Sequence, residues 1–434
     1  MSKKSRYLLL LGCLVVFLTL SPIIVLYVKG LSFDFENNKF VETGTLAVKI
    51  EPKSADIFLD GTLKKKESGN IKFLKPREYQ LEIKEEGYFE WSKRLKIDSG
   101  RVIWANGDAE KIYLIKQNGV PAEISQGVSD FKLTDNSLWF LATGSLAYLD
   151  IDRQTEPTSY KLDKKLNVIA GNFQNRQLLL KNIDDPTVAL LFDASVSTTT
   201  DLSLLFPDGA EFKFDPSGKL LALENQNLYL VNFKNSQADS KTLLLTEALA
   251  FAANGEDLYY IKSTEQGNAL FTSKFPFTKE FILADSLPNF EEGEIIVNLN
   301  KEIFLTADKI LFRITNKSAK LATDLTGWNF AENQNTLIFA AAGELKQFNY
   351  IENKKPGLIT RTQKTLTNPS LIKNIGYAFA VQDKNIVALG LDTRDHQNEY
   401  NIYYGEDLKK FGVNNAGKKI IILDGDRLLE LVIR

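Results

Sequence analysis

Residues 212–233 read FKFDPSGKLLALENQNLYLVNF. An aromatic stretch, Phe212 to Phe214, runs into Asp215-Pro216-Ser217-Gly218. An apolar run, Leu220 to Leu223, follows, and after a short polar break comes the alternating segment Asn227 to Phe233. Aspartate, proline and glycine in that order suit a type I turn, because proline presets the second position and glycine relaxes the last. The stretch therefore predicts strand, turn, strand, short turn, strand, all within about half of a forty-residue unit.

Weaker copies of the same pattern occur at Phe131 to Leu149, Phe173 to Phe192, Phe251 to Phe271, Val297 to Phe312, Phe330 to Phe348, Tyr377 to Tyr404 and Phe411 to Leu431. Several carry turn residues of equivalent geometry, such as Ala253-Asn254-Gly255 and Asn415-Ala416-Gly417. A recurrence near 40 residues without long amphipathic helices is the period of four-stranded β-propeller blades. The repeat resembles that of TolB-like and WD-repeat-like propellers, and the eight units counted predict seven or eight blades over residues 99–434. Two stacked β-sandwiches are the alternative architecture. A propeller ring commonly closes by pairing strands from its two ends, and the strand-rich segment Lys418 to Ile433 is expected to complete a blade begun near Ile103 to Ile115.

Residues 44–98 alternate with period two, placing Leu46, Val48, Ile50, Ile57 and Leu59 on buried faces, with a turn at Asp60-Gly61. Strands are predicted at Ile71 to Leu74, Tyr79 to Ile83 and Trp91 to Ile97. Gly44-Thr-Leu-Ala-Val48, Pro52, Ala55, Leu59-Asp60-Gly61, Leu74-Lys-Pro76, Tyr79 and Glu86-Gly87-Tyr88 resemble the PEGA domain, a small β-sandwich of prokaryotic surface and envelope proteins. Arg77 stands where that family usually has glycine, and Lys64-Lys65-Lys66 replaces its Gly-x-Thr-Pro stretch. The resemblance implies a surface or spacer role and no chemistry.

Before this region, Tyr7 to Val28 carries no charge and as a helix would span about 33 Å, the thickness of a bilayer core. Lys3, Lys4 and Arg6 precede it, so the positive-inside rule keeps residues 1–6 cytoplasmic and sends the remainder across. The run ends in Tyr27, Val28 and Lys29 rather than at a small-residue cleavage site, which predicts an uncleaved anchor. Cys13 lies within it as a small apolar residue; a lipid-modified cysteine there would leave half a span behind. Residues 29–43, with Asn37 and Asn38 at their middle, read as a linker. The fold class expected is thus an all-β ectodomain, sandwich plus propeller, behind one transmembrane helix.

The chain has 434 residues, one histidine, one cysteine, and a formal net charge of −2. Near-neutral charge disfavours nucleic acid, and the missing cysteines exclude an intramolecular disulfide framework. With a single imidazole, His396, a zinc site or a Ser-His-Asp triad lacks parts. His396 itself is expected on an exposed polar hairpin loop. Paired carboxylates suffice for glycoside chemistry, and the candidates are Asp184 with Asp185, Glu291 with Glu292, and Asp424 with Asp426, each at an expected turn. Trp91, Trp104, Trp139 and Trp328 are expected mainly in cores, an exposed subset being able to stack on sugars. No cofactor, metal or catalytic residue is assigned. The expected function is a non-catalytic, membrane-anchored extracytoplasmic scaffold whose partners are the lipid bilayer and a protein or envelope glycan. The alternatives are a carboxylate-dependent hydrolase or lyase and a structural spacer.

Overall fold

The computed structural model describes residues 3–28, 30–34, 38–107, 109–117, 119–134, 137–152, 156–170, 177–185, 187–194, 196–215, 218–234, 237–275, 279–298, 300–331, 335–352 and 355–434. Helix α1 spans Lys3–Val28 and includes Pro22. Its described side chains run unbroken over residues 10–22, and Leu10, Leu11, Val15, Val16, Phe17 and Leu18 are all exposed. Among the described residues no helix is long and apolar enough to cross a membrane.

The segment expected to be a plain linker holds an antiparallel hairpin, β1 (Leu31–Asp34) with β2 (Lys39–Glu42). Phe33 and Phe40 meet edge to face at 5.1 Å across it, and Asn38 turns the chain in the left-handed conformation. Two aromatics and one turn residue are too few to read as a period, which is why the hairpin escapes the sequence.

The sandwich follows. Strands β3 (Gly44–Val48), β4 (Ile50–Glu51), β5 (Asp56–Leu59), β6 (Thr62–Lys65), β7 (Gly69–Leu74), β8 (Glu78–Lys84) and β9 (Trp91–Lys96) precede β10 (Val102–Trp104) and β11 (Ile112–Tyr113). One sheet has the order β6-β5-β8-β9 and the other β10-β3-β7, while β11 pairs with β4. The alternating residues Leu46, Val48, Ile50, Ile57, Leu59, Leu81, Ile83 and Leu95 form the core between them. The lysines of β6 lie on an exposed edge strand, a placement that discourages further pairing there.

Seven four-stranded antiparallel sheets of described residues then span 128–161, 168–201, 211–245, 250–287, 293–322, 325–361 and 366–404, and an eighth has three of its strands within 408–432. We call them blades 1 to 8, and each contains one of the eight repeats read from the sequence. Phe173 falls outside the described residues. Fully buried phenylalanines sit between blades, among them Phe140, Phe192, Phe251, Phe304, Phe339 and Phe379, each stabilising the ring by about 1.5–3 kcal/mol.

Blade 8 is completed by β12 (Ala122–Ser125), which pairs antiparallel with its last strand, Arg427–Val432. The expected closure through Ile103 to Ile115 is therefore corrected. That segment is committed elsewhere: Val102–Trp104 runs parallel to β3, and Ile112–Tyr113 runs parallel to β4. Alternation explains the outcome, since Ile112 and Leu114 enter the sandwich core whereas Tyr113 and Ile115 enter the core of blades 7 and 8. One short extended segment serves both domains.

Candidate functional site

Each blade places its first strand at the centre of the ring, and side chains there bridge neighbouring blades. Lys410 of blade 8 donates to Asp130 Oδ1 and Phe131 O of blade 1, both at 2.8 Å, and Asp130 Oδ2 accepts the Ile169 amide of blade 2 at 2.9 Å. Lys213 of blade 3 reaches Phe251 O of blade 4 at 3.2 Å and Glu294 of blade 5 at 3.4 Å. Burial, reinforced by Lys410, lowers the pKa of Lys132, and Asp130 partly offsets it. These central cations act as staples between blades.

Three blades anchor the turn between their first two strands on one buried side chain. Asp215 Oδ1 accepts the Lys219 amide at 2.7 Å. Asn298 Oδ1 accepts the amides of Asn300 and Glu302, both at 2.9 Å. Asn414 Oδ1 accepts those of Lys418 and Lys419 at 2.8 and 3.0 Å. The residue holding the last turn is thus Asn414, one position before the Asn415 on which the sequence drew attention.

The acidic pairs are not brought together. Asp184 and Asp185 lie between the second and third strands of blade 2, where Asp185 accepts from the Thr187 amide and hydroxyl. Glu291 and Glu292 precede blade 5, their amides tied to Asp308. Asp424 is buried and accepts from Tyr403 and the Asp407 amide at 2.8 Å each, while Asp426 is exposed. The three pairs thus lie at separate turns, in blade 2, before blade 5 and in blade 8. Among the described residues no group of three or more His, Cys, Asp or Glu is placed to hold a metal ion.

The opposite face of the ring, carrying the turns between first and second and between third and fourth strands, receives the sandwich. Its docking point is the loop 391–398 of blade 7. Lys93 on β9 is fully buried and donates to Asp392 O at 2.8 Å and to His396 O. Burial lowers its pKa, and the charges of Asp392 and Asp395 partly restore it. Arg394 reaches back to the connection, donating to Trp104 O at 3.1 Å and Ala105 O at 2.7 Å while gripping Asp392 Oδ2 at 2.7 Å. Burial pushes the Asp392 carboxyl up, but hydrogen bonds and charge from Arg394, helped by Lys93, hold it below the ordinary aspartate range.

His396 lies, as expected, exposed on a polar hairpin loop, the one joining the last two strands of blade 7, and that loop also meets the sandwich. Its Nδ1 lies 2.8 Å from Asp395 Oδ2, and its Nε2 lies 3.4 Å from Ser92 Oγ of the sandwich. A carboxylate only accepts, so the ring carries a proton on Nδ1. That hydrogen bond, with the Arg94 amide at 3.0 Å, lowers the pKa of Asp395. Tyr400 stacks on Phe89 at 4.9 Å and donates to Glu90 O, and the buried Tyr377 hydroxyl donates to Tyr113 O, both at 3.0 Å.

Beside this clamp the domains enclose a cleft of about 830 Å³. Its walls are β10, the connection to β11, the 3₁₀ turn Lys373–Ile375 of blade 7 and the outer strands of blade 6. Gly376 ends that turn with φ of 76°, and a Cβ there would stand 3.0 Å from Ala109, so glycine is required for the connection to pass. Of the four tryptophans, Trp91 and Trp139 are buried and Trp328 packs edge-on against Phe330, whereas Trp104 is about half exposed, 48%, in the cleft with Lys49 over its ring. Sequence reasoning missed the cleft and Lys93. Their partners lie some 300 positions away, and the only signal was the unusual density of charge in 392–396.

No family model matches the chain, and no curated protein is similar to it in sequence. Among solved structures it is similar to the Dos1 propeller, with a TM-score of 0.50 and 9% identity over 72% of this chain and 94% of that one. The C-terminal WD40 domain of Sif2 has a TM-score of 0.49 at 9% identity, covering 73% and 99%. The likeness is one of fold: a β-propeller.

Proposed function

We propose that this chain is a non-catalytic interaction scaffold, anchored in a membrane by Tyr7 to Val28 with residues 1–6 cytoplasmic, that holds its sandwich and propeller outside the cytoplasm to engage a protein partner. The observation that carries the reading is the cleft between two domains locked in one orientation by Lys93, Arg394 and Tyr377. A preformed concave site lined by backbone edges, a tryptophan and several charges favours recognition of a ligand. The exposed apolar side chains around α1, with the basic residues of its first turns, support the anchor. The PEGA-like residues of 44–98 support an envelope setting.

The test uses the full chain in lipid nanodiscs, presented to purified envelope protein and envelope glycan fractions. Retention of protein by the native chain and its loss in Gly357→Trp is the expected result. A Cβ at Gly357 meets nothing nearer than 3.9 Å, so a side chain can start there without a clash, and the indole is expected to fill the cleft. Equal retention by both chains, or depolymerisation of the glycan fraction, would overturn the reading. Resistance of the chain to alkaline extraction from membranes checks the anchor. Trp104 favours a second reading, an envelope glycan stacked on its exposed ring, and the glycan arm tests it.

A further inference from the structure

We infer that the cleft takes an extended, acidic peptide segment of the partner, added as a strand to the free edge of β10. This deepens the scaffold reading and rests on it.

Strand β10 is the edge of its sheet, paired on one side only, with β3. The ladder is parallel, and its flanking bonds fix which residues face inward. The Thr45 amide donates to Arg101 O and the Ala105 amide donates to Ala47 O, both at 2.9 Å. Bonding alternates along a strand, so Arg101, Ile103 and Ala105 turn their backbone groups toward β3, and Val102 and Trp104 turn theirs outward. Arg394 occupies the outward carbonyl of Trp104. Among the described residues the amides of Val102 and Trp104 and the carbonyl of Val102 remain as a template of the kind that extended peptides complete.

The side chains agree with that use. Ile103 packs on the sandwich core, whereas Val102 and Trp104 are 56% and 48% exposed on the other side. They would supply the alternate pockets that an added strand needs.

Charge selects the partner. Lys111 is bonded to Glu51, and Arg394 holds Asp392. Lys355, Lys373 and Glu352 also line the cleft, and among the described residues neither lysine has a carboxylate within ion-pair distance, so the lining keeps an excess of positive charge. Two such ammonium groups beside an open strand edge favour a peptide carrying aspartate or glutamate and disfavour a basic one.

The experiment selects a random dodecapeptide display library against the full chain in nanodiscs, counter-selecting with Gly357→Trp. Enriched peptides are expected to be acidic and to bind at least about tenfold more weakly to Lys355→Glu/Lys373→Glu. Val102→Pro removes an outward amide while leaving the inward ladder intact, and it is expected to cost a similar factor. Methylation of alternate backbone nitrogens in the selected peptide probes the same contact without altering the protein, and it too should weaken binding about tenfold. The inference is overturned by enriched peptides without excess acid, or by affinities within about twofold for the proline variant and the methylated peptide alike. It is overturned equally by oligosaccharide bound in the cleft where no peptide is enriched. Loss of envelope-protein binding in Gly357→Trp together with these results would leave the scaffold reading intact and remove only the peptide.

Discussion

Lys93 of the sandwich and Asp392 of blade 7 meet twice: the buried ammonium donates to the Asp392 carbonyl at 2.8 Å, and its charge helps keep the Asp392 carboxyl ionised. Replacing Lys93 with Met keeps the apolar stem but strands two carbonyls in the junction. A cost of about 2–4 kcal/mol in docking stability is expected. Hydrogen exchange should accelerate in 391–398 and in β9 while the inner strands of blades 2 to 5 stay protected; uniform acceleration would contradict a local role.

The junction should also respond to acid. Asp392 and Asp395 both titrate below the ordinary aspartate value of 3.8. A carboxyl whose folded pKa is depressed stabilises the folded form above the unfolded value, and that contribution disappears as pH falls through the depressed one. Docking is therefore expected to hold down to about pH 4 and to weaken below it. Asp392→Asn should flatten the acid limb of unfolding followed by tryptophan fluorescence. Lys93 acts at the other end: its pKa lies below 10.5, so the undocked form holds more protons just beneath that value and docking strengthens as pH rises through the window.

Tyr377→Phe removes one hydroxyl whose acceptor, Tyr113 O, lies in the segment shared by both cores. The expected destabilisation is about 1–2 kcal/mol. Tyr400→Phe, which frees Glu90 O, should behave similarly. A double-mutant cycle should show coupling, because the two rings are neighbours at 6.2 Å.

Asn414→Ala deprives two amides of their acceptor in blade 8 and should lower stability by about 1–2 kcal/mol in denaturant unfolding. Asn414→Asp preserves the acceptor and should retain most of it, as Asp215 does at the equivalent turn of blade 3.

The ring was legible because every blade repeats the same local physics: two or three alternating strands separated by residues that tolerate tight turns. The sandwich core was legible for the same reason, Leu46, Val48, Ile50 and their partners falling on one side of period-two strands. What connects the domains was not. Ile112 to Ile115 alternates like any half-buried strand, and nothing local shows that its two faces belong to different cores. His396 is exposed on its polar loop as its sequence implies, but nothing local shows that Ser92 and Lys93, some 300 positions away, lie against that loop. Trp104 likewise reads as a core aromatic, because exposure at an interdomain cleft leaves no periodic trace.

The clasp formed by β12 has a mechanical corollary. The N-terminal helix and sandwich join the ring at the strand that closes it, and the Lys116 amide bonds to Ile433 O beside the clasp, with Arg434 over the Tyr113 ring. Tension applied from the N-terminal side travels through Lys93, Arg394 and Tyr377 before it reaches β12. These contacts lie in the load path as a fuse ahead of the clasp. They are expected to yield first, letting the sandwich swing away while the eight blades stay shut, which single-molecule pulling from the N-terminal side would read as a small early extension before the ring opens.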